Sequence, residues 1–160
     1  MTETPGWPEE PEERIRLIVE RVLDELDLDG EVLVSGDEDS ILAEVSGDDD
    51  YGLLIGRRGQ TIDALQLLCY QAAFRGVRER KRVILDAAGY RERRRETLAA
   101  RADRAAEQAE SSGAAVEMEP MSAQERRMVH EHLADRAGIE TYSEGDEPHR
   151  CVMVAPLLAE

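Results

Sequence analysis

Apolar side chains recur at Ile15, Ile18/Val19, Val22 and Leu26, the 3.6-residue period of an amphipathic helix over about 12–28. The period then shortens. Residues 31–35 and 40–45 are β-prone runs on either side of Gly36-Asp37-Glu38-Asp39, a hairpin-like turn signal. Gly47-Asp48-Asp49-Asp50 follows as a loop whose aspartates favour the positive end of a short helix near 51–55. After Gly56-Arg57-Arg58-Gly59, a helical spacing returns at Ile62, Leu65, Cys69 and Ala72, and Gly76 stops a helix predicted to reach about Arg75. Residues 82–86 read as a strand. The order α-β-β-α-α-β predicts a three-stranded sheet covered on one face by helices.

Ala87-Ala88-Gly89 marks a boundary. Beyond it, Leu98, Ala102, Ala105/Ala106 and Ala109 form one stripe of a long helix from Tyr90 to about Glu110, stopped by Ser111-Ser112-Gly113. A short strand is predicted over 114–118. Ser122-Ala123-Gln124-Glu125 is a capping box that opens a helix to about Arg136, with Gly138 after it. Two strands, 139–142 and 150–154, flank the turn Ser143-Glu144-Gly145-Asp146-Glu147-Pro148. The second half is therefore α-β-α-β-β. The fold class is α+β in two modules, with a frayed Pro/Glu-rich start over 1–11, a first domain over 12–88 and a second over 89–157.

Composition changes this picture at one point. The net charge of −16 argues against a polyanionic ligand until its distribution is examined. Residues 1–50 hold 3 basic against 18 acidic side chains, and residues 111–160 hold 4 against 10. Residues 51–110 reverse the sign, with 13 basic against 8 acidic. Affinity for phosphate follows the local patch, and the basic segment is the one that carries the paired glycines. No apolar run approaches the ~20 residues of a membrane span, and no secretory leader pattern opens the chain. A cytoplasmic protein with Cys69 and Cys151 reduced is expected.

Two glycines three residues apart let the main chain turn sharply and let a phosphodiester approach it. The helix that follows turns its first N–H groups toward that position, and Arg57 and Arg58 add charge. This is the layout by which KH domains hold single-stranded nucleic acid. Ile55, Gly56, Arg57, Arg58, Gly59, Gln60, Thr61 and Ile62 form the candidate site, with Ile55 and Ile62 as its apolar floor and the sheet edge bonding to base edges. Arg82 leads into the strand expected to border the groove, alongside Arg78, Arg80 and Lys81. Gly59→Asp is expected to abolish binding and leave the fold intact.

The segment Leu54-Ile55-Gly56-Arg57-Arg58-Gly59-Gln60-Thr61-Ile62-Asp63-Ala64-Leu65-Gln66 resembles the KH loop of the bacterial Jag family, also called KhpB or SpoIIIJ-associated. The resemblance continues through Gly89-Tyr90-Arg91-Glu92-Arg93-Arg94 and the run from Met118 to His130, and ends in Ser143-Glu144-Gly145-Asp146-Glu147-Pro148. It implies a prokaryotic-type (type II) KH domain followed by a small R-three-H domain, without the N-terminal Jag domain that many members carry. His149 stands where an aromatic commonly follows the proline. Arg126 and His130, at the i, i+4 spacing that names the second domain, would share a helix face with Arg127 beside them, a guanidinium forking onto phosphate and an imidazole donating or stacking.

The resemblance further implies cytoplasmic binding of single-stranded RNA, post-transcriptional regulation touching cell elongation or division, and pairing with a small KhpA-type KH protein or a KH-mediated homodimer. The other reading is a non-catalytic adaptor built on a degenerate KH domain. No cofactor, metal site, membrane association or catalytic constellation is expected, since the chain has no P-loop, G-x-S-x-G or metal-ligand spacing.

Overall fold

The computed structural model describes residues 6–157, so the first five residues of the start expected to be frayed lie outside the described residues. The fold is mixed α+β, in two compact units that divide between Tyr90 and Arg91.

In the first unit, α1 (Pro11–Glu25) opens with Pro11 in the first turn and Glu12 and Glu13 at its positive end. It buries Ile15, Val19 and Leu23. The helix ends three residues before the expected Leu28. Asp27 takes the left-handed conformation (φ 55°) and Leu28 N–H returns to the Leu23 carbonyl at 3.0 Å, a Schellman C-terminal cap with aspartate in place of glycine. Strands β1 (Glu31–Gly36), β2 (Ser40–Ser46) and β3 (Arg82–Ala87) form a sheet in that order. β1 and β2 are an antiparallel hairpin, whereas β2 and β3 run parallel. A parallel neighbour requires a crossover, and that crossover carries α2 (Gly52–Ile55), a 3-10 turn (Arg57–Gly59) and α3 (Gln60–Ala73).

Alternation puts Ile41, Ala43, Val45, Val83, Leu85 and Ala87 on the face covered by helices. Leu54, Ile62, Leu65 and Cys69 meet them there. Arg14 of α1 donates to the carbonyls of Ala73 (2.7 Å) and Arg75 (3.2 Å). It thereby satisfies acceptors at the C-terminal, negative end of α3.

In the second unit, α4 (Tyr90–Ser112) presents Leu98, Ala102, Ala105, Ala106 and Ala109 to the core. Strands β4 (Val116–Glu117), β5 (Ile139–Glu144) and β6 (Cys151–Pro156) form an antiparallel sheet in the order β4-β6-β5. The strand expected over 114–118 shrinks to two residues. α5 (Ala123–Leu133) has the predicted reciprocal cap: Glu125 N–H donates to Ser122 Oγ at 3.3 Å and Ser122 N–H to Glu125 Oε2 at 3.0 Å. It stops at Leu133, short of Arg136. The division between units falls after Tyr90, two residues beyond the boundary read from the sequence, because Tyr90 packs against the first core.

Candidate nucleic-acid interface

The Gly-Arg-Arg-Gly turn hangs between two anchors with no solvent exposure, Leu54 before it and Ile62 after it. Gly56 has φ 73° and ψ 178°, a region closed to side chains, and a Cβ there would collide with the Thr61 hydroxyl. Gly59 has φ 77°, and its Cβ would meet the Tyr90 ring at 2.8 Å. Between them Arg58 also sits at φ 55°, a left-handed arginine, which costs about 1–2 kcal/mol. Gly59 N–H closes the bend on the Gly56 carbonyl at 3.2 Å. No side chain caps the start of α3, so its opening turn keeps the positive end of the helix toward the bend.

The structure sorts the first group of site candidates by exposure. Arg57, Gln60 and Thr61 are exposed, Ile55, Gly56 and Arg58 are half-buried, and Gly59 is buried. Ile62 is fully buried and closes the core beneath the bend, so the expected apolar floor lacks it. Arg82 is exposed at the start of β3. The sheet edge also departs from expectation: Leu85 and Ala87 have no exposure, and Leu85 N–H donates to Gln66 Oε1 at 3.0 Å. Nearby, the Arg80 guanidinium lies over the Tyr70 ring at 5.9 Å.

The expectation that Gly59→Asp leaves the fold intact therefore runs against the packing at this position. A buried, left-handed position against an aromatic ring has no room for the aspartate.

The second group behaves differently. Arg126 is only 8% exposed. Its Nη1 donates to the Met121 carbonyl at 2.8 Å and its Nη2 to Glu147 Oε1 at 2.7 Å. The fork expected on phosphate is thus committed within the unit, tying the start of α5 to the β5–β6 loop. Arg127 is exposed and pairs with Glu131 at 2.8 Å, one turn along. His130 sits between two hydroxyls, Nδ1 to Thr141 Oγ1 at 2.7 Å and Nε2 to Ser143 Oγ at 3.1 Å. Burial first, and the Arg126 charge second, lower its pKa below the ordinary histidine value, so the ring is neutral at pH 7. An open cleft beside it is lined by Leu133, Ile139, Glu140 and Tyr142.

Sequence reading did not single out two side chains, one in each unit, that shape their surroundings. Arg94, taken as one of a surface series, donates to Glu125 Oε1 (2.7 Å) and Glu119 Oε1 (3.1 Å) with its side chain 13% exposed. Burial opposes its charge, but the two carboxylates outweigh that and hold its pKa above the ordinary value. Gln66 lies next to core residue Leu65, and that adjacency is the one signal that it borders the sheet.

Comparison with known proteins follows the same division. The family model for the KhpA/KhpB KH domain matches residues 12–86, and that for the R-three-H domain matches residues 96–156. RNA-binding protein KhpB of Bacillus subtilis is 30% identical over 148 residues, covering 91% of this chain and 71% of that protein. The chain belongs to the KhpB family. KhpB proteins of Clostridium symbiosum and Lactiplantibacillus plantarum are each 41% identical, over 67% and 65% of this chain. The matched part spans 48% and 32% of those two relatives' own length. Among the described residues no helix is long and apolar enough to cross a membrane, and no group of three His, Cys, Asp or Glu could hold a metal ion.

Proposed function

We propose that this chain binds single-stranded RNA without catalysis, with the Gly-Arg-Arg-Gly bend as the principal backbone contact. The observation that supports this is the bend itself: an exposed Arg57 and a strained Arg58 held at an uncapped helix start between buried anchors. Gly56 lets a phosphate approach the main chain, and Arg57 and Arg58 neutralise charge there. Relatives named RNA-binding protein KhpB support the same ligand. In the second unit the contact comes from the cleft beside His130 and from the exposed Arg127, with Arg126 holding the helix in place. A role as a cytoplasmic post-transcriptional regulator of cell elongation or division belongs to this reading.

A partner is also part of the proposal. Leu67 and Leu68 on α3 are 60% and 55% exposed, and Leu53 on α2 is 68% exposed. Exposed leucines on two neighbouring helices favour pairing with a KhpA-type protein or a second copy.

Fluorescence anisotropy with labelled single-stranded RNA tests the main claim. Arg57→Asp/Arg58→Asp inverts the charge and suits the left-handed position, since aspartate tolerates αL. It should weaken binding by at least tenfold at low salt. If about three to five phosphates are engaged, log affinity should fall with log salt at a slope of roughly −2 to −3.5. Full affinity in the double variant refutes the assignment.

A further inference from the structure

A parallel strand pair is ordinarily covered on both faces, and its strands then read as continuous apolar runs. β2 and β3 are such a pair, with Ile41-Leu42-Ala43 beside Val83-Ile84-Leu85. Ile41, Ala43, Val83 and Leu85 enter the core, where Ile15, Leu54 and Ile62 of the helices meet the sheet. Leu42 and Ile84, directly opposite one another, turn to the other face. Leu33 of β1 stands there too, diagonal to Leu42, and is 56% exposed. Leu42 and Ile84 are half-buried, and none of the three belongs to the core beneath.

One end of this patch is acidic. Glu44 faces out opposite Leu33 and level with Asp86, and Glu31 lies one step further along β1. Beyond them an open cleft is lined by Asp29, Glu31, Asp48 and Asp49. Asp49 is held there, its Oδ2 accepting from Asp29 N–H at 2.9 Å. Glu31, Glu44 and Asp48 carry no ion pair among the described residues. Arg82, beside Ser40, marks the opposite end. From the Leu42 row to the Glu31 row is four residues of strand, about 14 Å, the length of some two to three turns of helix.

We propose that this open face of the sheet docks a cationic amphipathic helix of a protein partner. Its apolar ridge lies on Leu33, Leu42 and Ile84, and its lysines or arginines lie over Glu31, Glu44 and the cleft. Charge selects the occupant. RNA would set phosphates against carboxylates, and an anionic bilayer would do the same. A second copy would set a net-acidic patch on itself. The face lies across the sheet from α2 and α3, so it is separate from the Gly-Arg-Arg-Gly bend and from the exposed leucines of those helices. It stands independently of the RNA-binding reading.

The test is fluorescence anisotropy on the full chain with two labelled peptides made only of leucine and lysine. One carries its leucines at the spacing of a single helix face, and the other has the same composition without that period. Wild type should bind the first at least about tenfold tighter, the worth of burying one or two apolar side chains. Leu33→Thr/Ile84→Thr keeps strand-forming residues and should bring the two peptides within about twofold. Glu31→Gln/Glu44→Gln should weaken both and flatten their salt dependence. Equal wild-type affinities, or an unchanged preference in Leu33→Thr/Ile84→Thr, overturn the proposal. So does a loss of single-stranded RNA affinity in that variant, which gives the face to RNA. A wild-type dimer that the same variant dissociates in sedimentation gives it to a second copy and overturns the proposal equally. Should the variant not melt as a folded protein, wild-type amide spectra decide. The amphipathic peptide should shift Leu33, Glu44 and Ile84, and shifts centred elsewhere sink the proposal.

Discussion

Arginine has opposite duties in the two units. In the first, Arg57 and Arg58 are presented at a bend whose glycines and buried flanks exist to hold it open. In the second, Arg94 and Arg126 face inward onto Glu119, Glu125, Glu147 and the Met121 carbonyl. A guanidinium with five fixed donors suits either task. What separates Arg57 from these two is exposure: Arg57 is exposed, whereas the charges of Arg94 and Arg126 are spent on acidic side chains within the fold. The difference explains how a chain of net charge −16 can still offer a cationic surface.

Four changes sharpen or break this contrast. The largest effect is expected for Gly59→Asp. Overpacking of about 1–3 kcal/mol against the Tyr90 ring adds to a smaller left-handed cost for aspartate of about 1 kcal/mol, giving a loss of roughly 2–4 kcal/mol in urea denaturation. A wild-type midpoint in that variant would show that the ring yields freely.

Next comes Arg126→Ala, which leaves the Met121 carbonyl without its buried guanidinium donor and returns the 60% exposed Glu147 carboxylate to water. It should destabilise the protein by roughly 2–3 kcal/mol. Its direct effect on RNA affinity, measured where the variant remains folded, should be under about threefold. A tenfold affinity loss with unchanged stability would return Arg126 to the binding surface. Arg57→Asp/Arg58→Asp should show the reverse, with RNA affinity down tenfold or more and stability lowered by less than in Arg126→Ala.

The smallest effect is a pH dependence at His130. Its folded pKa is lowered, so the unfolded chain binds the proton more readily, and its contribution to stability is present above the unfolded value near 6.5. That contribution is lost as pH falls from there through the lowered folded pKa. Thermal melts at pH 7 and pH 5 should therefore differ less in His130→Gln than in wild type. An identical pH response in the two would remove His130 as a source of the pH dependence.

Much of the frame was legible because it rests on local rules. The Ile15–Leu26 period, the turn at Asp37, the paired glycines and the Ser122 capping box each depend on residues within a few positions of one another. The misjudged site residues are tertiary cases. Arg126 reads as a surface arginine until Glu147, 21 residues on, is folded against it. Gly59 reads as a turn glycine, and only the Tyr90 ring makes it a packing glycine as well. Early helix endings differ in origin: the left-handed Asp27 stops α1, and α5 ends at Leu133 rather than Arg136. Arg136 instead pairs with Glu110 through Nε at 2.9 Å. Gln66 was invisible as a polar edge-cap because its partner is a main-chain amide of β3.

The buried leucine and isoleucine on either side of the Gly-Arg-Arg-Gly bend carry a kinetic implication. A hinge clamped at both ends has its shape before any strand arrives, so the entropy of ordering falls on the incoming polymer alone. Capture should then be limited by encounter and its rate should track ionic strength, whereas a mobile loop would add a slow, salt-blind step.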